Sequence, residues 1–379
     1  MKRVMIIAGE ASGDLHAAKL VTQAKKIRPE VEFFGIGGEH MRQAGVNTYV
    51  DSKDMAVVGL VEILSHRKVI FGALNKMREL ITASPPDLLL LVDYPEFNLR
   101  LAEHAKKHNV KVLFYISPQV WAWRQYRVKK IKRLVDKMAV VFPFEEAFYL
   151  KHHVPVEFVG HPLVDEVKPS ADKASLIGSF QLNKNKSIIG LFPGSRKSEV
   201  KRLLSIMLDS ARLLKQSNPD IQFIMPLAHT LSLQDIQPWL DQYPDLDINV
   251  ITQRQYDVMA VCDLILTVSG TVTLEIALVG TPLVIINKVA TLTYLLVNRM
   301  LKIQHIGLCN IVADKRIASE LIQYDATPQK IFETLSDLLS NPDKLQTMRE
   351  ELGQIEALLG AGGGIENIAN LTLRMLDNN

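Results

Sequence analysis

The stretch that most constrains the fold is residues 263–282, DLILTVSGTVTLEIALVGTP. Leu264–Val268 is a short apolar run, the pattern of a strand buried on both faces of a parallel sheet. Ser269-Gly270-Thr271 is a small polar turn. Val272–Val279 then reads as a helix that Thr271 is suited to cap and that Gly280-Thr281-Pro282 ends. Exposed amides and the positive end of a helix dipole suit such a turn to phosphate. A carboxylate one turn further on, Glu275, suits the two hydroxyls of a ribose. Together they describe a site for a nucleoside diphosphate. The same residues also read as an ordinary capped helix with a solvated Glu.

The unit recurs along the chain. Residues 4–8 are a β-branched and apolar run, 9–14 (GEASGD) a turn, and 15–26 an amphipathic helix. Further strands are expected at 32–35, 88–92, 112–116, 137–141 and 157–159. Near Ile188 the pattern restarts. A strand spans 188–192, Pro193-Gly194-Ser195 is a turn, and a helix begins near Glu199. Strands follow at 222–225, 248–251, 264–268 and 283–286. The alternation predicts an α/β chain of two tandem Rossmann-like domains. The expected divisions are 1–165, 166–350 and a helical tail, 351–379, packing back on the first domain or exchanged in a dimer. Gly160-His161-Pro162 and residues 169–186 form the expected linker. Tandem domains of this kind are shared by GT-B glycosyltransferases, which bind ligands in the interdomain cleft, by periplasmic binding proteins and by some epimerases. The opening turn is not the G-x-G-x-x-G fingerprint, and Glu10 would repel a pyrophosphate.

A chain of 379 residues is long enough for two or three domains. Its 22% charged residues and net charge of +3 make local charge more informative than the total. No apolar run approaches the roughly 18 residues of a membrane span, and Gly9-Glu10 interrupts the first one too early for a signal peptide. Cys262 and Cys309 have neither a disulfide framework nor metal-ligand spacing, which fits a reducing, cytoplasmic setting.

Two stretches of the first half carry unusual surfaces. Residues 55–81 place Val57, Leu60, Val61 and Leu64 on one helical face and Ile70, Leu74, Met77 and Ile81 on another, with His66, Arg67 and Lys68 between. They suit either a core helix or a surface that meets membrane or acyl chains. Residues 121–137, WAWRQYRVKKIKRLVDK, join aromatic and basic side chains. That pairing fits nucleic acid, a membrane interface or a solvated basic face.

Among residues that carry chemistry, Asp93 follows the strand at 88–92, the ligand end of an open α/β sheet. It suits a base that deprotonates an acceptor hydroxyl, or an N-cap; Glu96 is the second carboxylate. Arg196 stands at the mouth of the turn at 193–195. It suits a bidentate grip on phosphate, or a surface pair with Glu199 at i,i+3. Ser12 and Gly13, at the start of the first helix, suit a phosphate on a second substrate. His161 at the expected hinge reads equally as structural or catalytic, and His16, His152 and His153 have no usable spacing. H-E-x-x-H, C-x-x-C, P-loop and G-x-S-x-G motifs are absent.

The motifs AGEASGD (8–14), VDYPEFN (92–98), SPQVWAWRQYR (117–127), FPFE (142–145), VGHPL (159–163), LFPGSRKSEV (191–200), SGTVTLE (269–275) and LCNIVAD (308–314) run nearly end to end. With them the chain closely resembles the lipid-A-disaccharide synthase family, inverting GT-B glycosyltransferases of lipopolysaccharide assembly in Gram-negative bacteria. The resemblance implies a donor, UDP-2,3-diacylglucosamine, and an acceptor, 2,3-diacylglucosamine 1-phosphate (lipid X). The implied products are a β-1,6-linked disaccharide 1-phosphate and UDP, with no metal or other cofactor. By position Asp93 matches the family's essential aspartate, and Arg196, Ser269, Gly270, Thr271, Glu275 and Asn310 match its UDP-side motifs. Glu96 stands where the family typically has a second aspartate. Members are peripheral inner-membrane proteins and dimers that exchange C-terminal segments; no nucleic acid is implied. Two other readings share the fold: a UDP-N-acetylglucosamine 2-epimerase-like enzyme, and a non-catalytic nucleotide-sugar-binding protein.

Overall fold

The computed structural model describes residues 1–55, 62–289 and 304–377, with side chains from residue 68 onward in the helix Glu62–Ala83. The expected residues Val57, Leu60, Val61, Leu64, His66 and Arg67 lie outside the described side chains. The chain divides into two units, Met1–Pro162 with Leu359–Asn379, and Leu163–Leu358.

The first unit holds β1 (Arg3–Ala8), β2 (Glu32–Gly37), β3 (Asn47–Asp51), β4 (Leu88–Val92), β5 (Lys111–Tyr115), β6 (Lys137–Val140) and β7 (Val156–Phe158). They form one sheet in the order β3-β2-β1-β4-β5-β6-β7, and every pairing is parallel. Alternate residues of each strand enter different cores, as the two-residue period requires. Met5, Ile7, Leu89 and Leu91 meet Leu74, Met77 and Ile81 of the helix Glu62–Ala83. That face of the apolar stretch is therefore core. Val4, Ile6, Leu88 and Leu90 meet the helix Ala11–Ile27 and also Ile368, Leu371 and Leu376 of the C-terminal helix Gly364–Asp377. An Asn367 amide bond to the Val159 carbonyl at 3.0 Å and an Arg28–Asp377 ion pair at 2.6 Å fix that helix.

The second unit holds β8 (Ser187–Phe192), β9 (Ile221–Leu227), β10 (Asn249–Thr252), β11 (Leu264–Val268), β12 (Leu283–Asn287) and β13 (Ser319–Ile322), again all parallel, in the order β10-β9-β8-β11-β12-β13. Both sheets reverse direction of winding between their first and fourth strands, the switch point at which α/β sheets bind ligands.

Two expectations need correction. Residues 169–186, expected as part of the linker, lie within the second unit: Lys173–Ser179 is a helix, capped by Asp172, which accepts the Ser175 amide at 3.1 Å. Asp257 also takes the Ser170 amide and hydroxyl at 2.6 and 2.8 Å. In addition, β3 and β13 were not expected; both are edge strands without a sustained apolar run, so hydrophobicity does not mark them. Among the described residues no helix is long and apolar enough to cross a membrane.

Candidate active site

At the switch point of the first sheet, β1 and β4 pair with Ala8 opposite Val92. The turn that follows β1 therefore lies beside the turn that follows β4. Asp93 and Tyr94 both take positive φ, 47° and 46°. Two such residues in succession cost roughly 1–3 kcal/mol each, and their neighbours hold them there. The Asp93 amide donates to the Tyr115 carbonyl at 3.0 Å, and the buried Asn98 amide donates to the Asp93 carbonyl at 2.6 Å. Tyr94, not Asp93, occupies the N-cap of the helix Pro95–Lys107, which removes the capping reading of Asp93. Burial, and then the neighbouring Glu10 carboxylate, push the Asp93 carboxyl up to about 6. A carboxylate in that range is a stronger base than a solvated one and is still ionised at neutral pH.

Asp93 lines a pocket of about 300 Å3 together with Ser117, Gln119, Trp121, Trp123 and Glu145. In the sequence the one signal of Glu145 is its place in FPFE, at the third position of a helix. Glu96 is exposed and pairs with Arg127, with Arg124 3.9 Å away, so it stands as an ion-pair partner of the basic segment. The same segment buries Val128, Ile131 and Leu134 and pairs Lys130 and Arg133 with Glu103. Ser12 is exposed and Gly13 buried in the first turn of the helix Ala11–Ile27, whose N-cap is Glu10. Burial and the nearby His16 push buried His161 down to about 3. It is neutral at neutral pH and poorly matched to acid–base work there.

In the second unit β8 and β11 are neighbours, with Phe192 opposite Thr267. This brings the turns 193–196 and 269–271 to one switch point. Glu199 accepts the Ser195 and Arg196 amides at 3.1 and 3.2 Å. The carboxylate thus fills the amide nest that the sequence suggests for phosphate. The Arg196 side chain is largely exposed, 4.0 Å from Glu199, and remains available to an anion. Thr271 stands at the N-cap of Val272–Val279 with helical dihedrals and no side-chain cap, which corrects its expected role. Thr273 supplies the local link instead: its hydroxyl donates to the Gly270 carbonyl at 2.8 Å and accepts the Leu308 amide at 3.0 Å. The Ser269 hydroxyl donates to the Ile306 carbonyl at 2.8 Å.

Glu275 is half-buried; burial, and then Glu166, push it up to about 7. Gln255 donates to it at 3.3 Å. Asn310 is fully buried. It uses both amide hydrogens, on the Ala318 carbonyl at 2.8 Å and the Glu320 carboxylate at 2.9 Å, and accepts the Ala318 amide at 2.9 Å. Glu320 also accepts the Ile306 and Gly307 amides. Asn310 therefore shapes the 306–310 turn from within and has no spare donor for a ligand. Among the described residues no cluster of His, Cys, Asp or Glu is arranged to hold a metal ion.

The family profile described as Lipid-A-disaccharide synthetase matches residues 4–362. The chain belongs to the lipid-A-disaccharide synthetase family. It is 54% identical over 375 residues to the lipid-A-disaccharide synthase of Geobacter metallireducens, covering 99% of this chain and 97% of that protein. It is 44% identical over 375 residues to that of Coxiella burnetii, with 99% of each chain covered. These relatives support a glycosyltransferase that forms the lipid A disaccharide and do not favour the epimerase or binding-protein readings. The fold is the GT-B type. A UDP-GlcNAc 2-epimerase from Neisseria meningitidis, solved bound to UDP-GlcNAc, superposes with a TM-score of 0.64 at 15% identity over all of both chains. The glycotransferase of kitacinnamycin superposes at 0.63 with 14% identity over 98% of each. At such identities the likeness is one of fold.

Proposed function

We propose that the enzyme joins UDP-2,3-diacylglucosamine to lipid X by a single inverting displacement. Asp93 removes the proton from the acceptor's 6-hydroxyl. That oxygen forms a bond to the donor's anomeric carbon while the bond from that carbon to the diphosphate breaks, and UDP leaves with the electron pair. The anomeric configuration inverts to β. Arg196 and the helix N-terminus behind Ser269-Gly270-Thr271 take up the charge that develops on UDP, as preorganised electrostatics require. Glu275 accepts the ribose hydroxyls. Glu199 and Asn310 act on the nucleotide by holding their turns, and Ser12 and Gly13 receive the acceptor's phosphate.

The observation that carries this reading is the placement of Asp93: a carboxylate pushed up to about 6, held at a strained strand end, lining a pocket with aromatic walls. Asp93→Asn should abolish disaccharide formation and leave UDP affinity within about twofold. Normal turnover by that variant would remove Asp93 as the base.

The same proposal places the enzyme peripherally on the cytoplasmic face of the inner membrane. Exposed Val69, Phe71, Trp123 and Tyr126, with Lys and Arg around them, fit a lipid surface. It also includes a homodimer in which C-terminal helices are exchanged, each using the apolar face of Ile368, Leu371 and Leu376. Flotation with anionic vesicles and cross-linking between positions 28 and 377 in mixed-label protein test these two parts.

A further inference from the structure

We propose that Glu145 is a positioning residue of the acceptor pocket, fixing the Trp121 wall against which the acceptor's sugar ring lies beside Asp93. Glu145 is the third residue of the helix Pro143–Lys151 and is 2% exposed. One carboxyl oxygen accepts the Trp121 indole N–H at 3.1 Å, and the other accepts the Phe142 amide at 3.3 Å. These donors are neutral. Burial pushes the carboxyl up to about 8, so at neutral pH it is largely a protonated acid. Capping this helix uses only the oxygen that accepts the Phe142 amide; the other is given to the Trp121 indole, which capping does not require.

The arrangement around it explains the burial. Phe144 meets the Trp121 ring edge-on with centroids 4.7 Å apart, and Glu145 holds the indole nitrogen. The ring is thereby fixed in position and in rotation. Ser117, where this wall begins, is tied to Tyr149 of the same helix by a hydroxyl bond of 2.8 Å. One helix thus anchors both ends of the pocket's aromatic wall. A pyranose has an apolar C–H face and a rim of hydroxyls, which match an aromatic ring beside the Asp93 carboxylate. A pocket of about 300 Å3 suits one such ring.

The inference rests on the assignment of the pocket to the acceptor. The test uses the full chain with Glu145→Leu, Glu145→Gln, Trp121→Phe and the Leu/Phe double variant. Acceptor KM, kcat and UDP affinity are measured for each. Glu145→Leu and Trp121→Phe should each raise the acceptor KM about tenfold, with kcat within about threefold and UDP affinity unchanged. The double variant should be no worse than Glu145→Leu, because both changes remove one interaction. Glu145→Gln keeps an acceptor for the indole and should recover most of the affinity. An unchanged acceptor KM in Trp121→Phe, multiplicative losses in the double variant, or parallel loss of UDP affinity would each overturn the positioning role. Failure of Asp93 as the base shows separately, in the turnover of Asp93→Asn, and leaves the coupling between residues 145 and 121 measurable on acceptor KM.

Discussion

Tyr94 closes over Gly9: a Cβ built on residue 9 would lie 2.5 Å from the Tyr94 ring. The turn after β1 is thus shaped to receive the ring that follows Asp93. Gly9→Ala should force Tyr94 out and carry the strained 93–94 backbone with it. Overpacking of this kind costs about 1–3 kcal/mol, so thermal unfolding should shift down by several degrees and kcat should fall more than tenfold. Gly270 is the contrast, because a Cβ there meets nothing within 4 Å. Gly270→Ala should leave the unfolding temperature unchanged and weaken UDP binding, since the glycine serves the ligand's approach. Calorimetry and UDP titration of the two variants separate the roles.

The pairing of Asp93 with Glu10 sets the pH profile. Burial and Glu10 both favour the protonated form of Asp93, raising it to about 6. A base must be unprotonated to act, so kcat/KM should rise with pH through an acid limb near 6 and level off above it. Glu10→Gln removes the like charge. The limb should then move to lower pH, while the part due to burial remains. A limb that stays in place, with activity measured between pH 4.5 and 8, would show that Glu10 does not act on Asp93.

Both switch points are legible in the sequence because their parts are local: an apolar run, a short turn and the start of a helix. Leu88–Val92 and Leu264–Val268 lie where the pattern puts them. The adjacency of Gly9 with Tyr94, and of Gly194 with Val268, depends on strand order, which no single window of residues contains. Glu145 is illegible for the same reason: its indole partner lies 24 residues away. Asn310 shows what a motif leaves out. A polar residue in a recognisable motif reads as a ligand contact, yet its amide is spent on Ala318 and Glu320.

Glu275 should make nucleoside binding depend on pH around neutrality. Burial and Glu166 raise its carboxyl to about 7. The ionised form is the better acceptor for two ribose hydroxyls, so affinity should increase as pH rises through 7. Uridine is the proper probe, because it has no phosphate that titrates there. Glu166→Gln should shift the transition to lower pH, and Glu275→Gln should abolish it. A flat uridine affinity between pH 6 and 8.5 in the unmodified enzyme would dissociate Glu275 from the ribose.

Glu199 presents the sharpest conflict between capping and ligand binding. Its carboxylate accepts the Ser195 and Arg196 amides, the donors that a helix N-terminus would otherwise offer a diphosphate. Gly194, at φ 101°, brings the turn so close that a Cβ there would meet the carboxylate at 2.5 Å. Glu199 is therefore part of the turn, and its negative charge opposes a phosphate gripped by Arg196. Glu199→Gln keeps one acceptor for the amides and removes the charge. It should tighten UDP binding by about threefold and lower stability by about 1 kcal/mol, the usual scale of a weakened cap. Arg196→Ala should weaken UDP binding at least tenfold, with the loss diminishing at high salt as a charge–charge contact requires. Weaker UDP binding by Glu199→Gln, measured by titration calorimetry beside Arg196→Ala, would mean that the carboxylate itself takes up the nucleotide's hydroxyls.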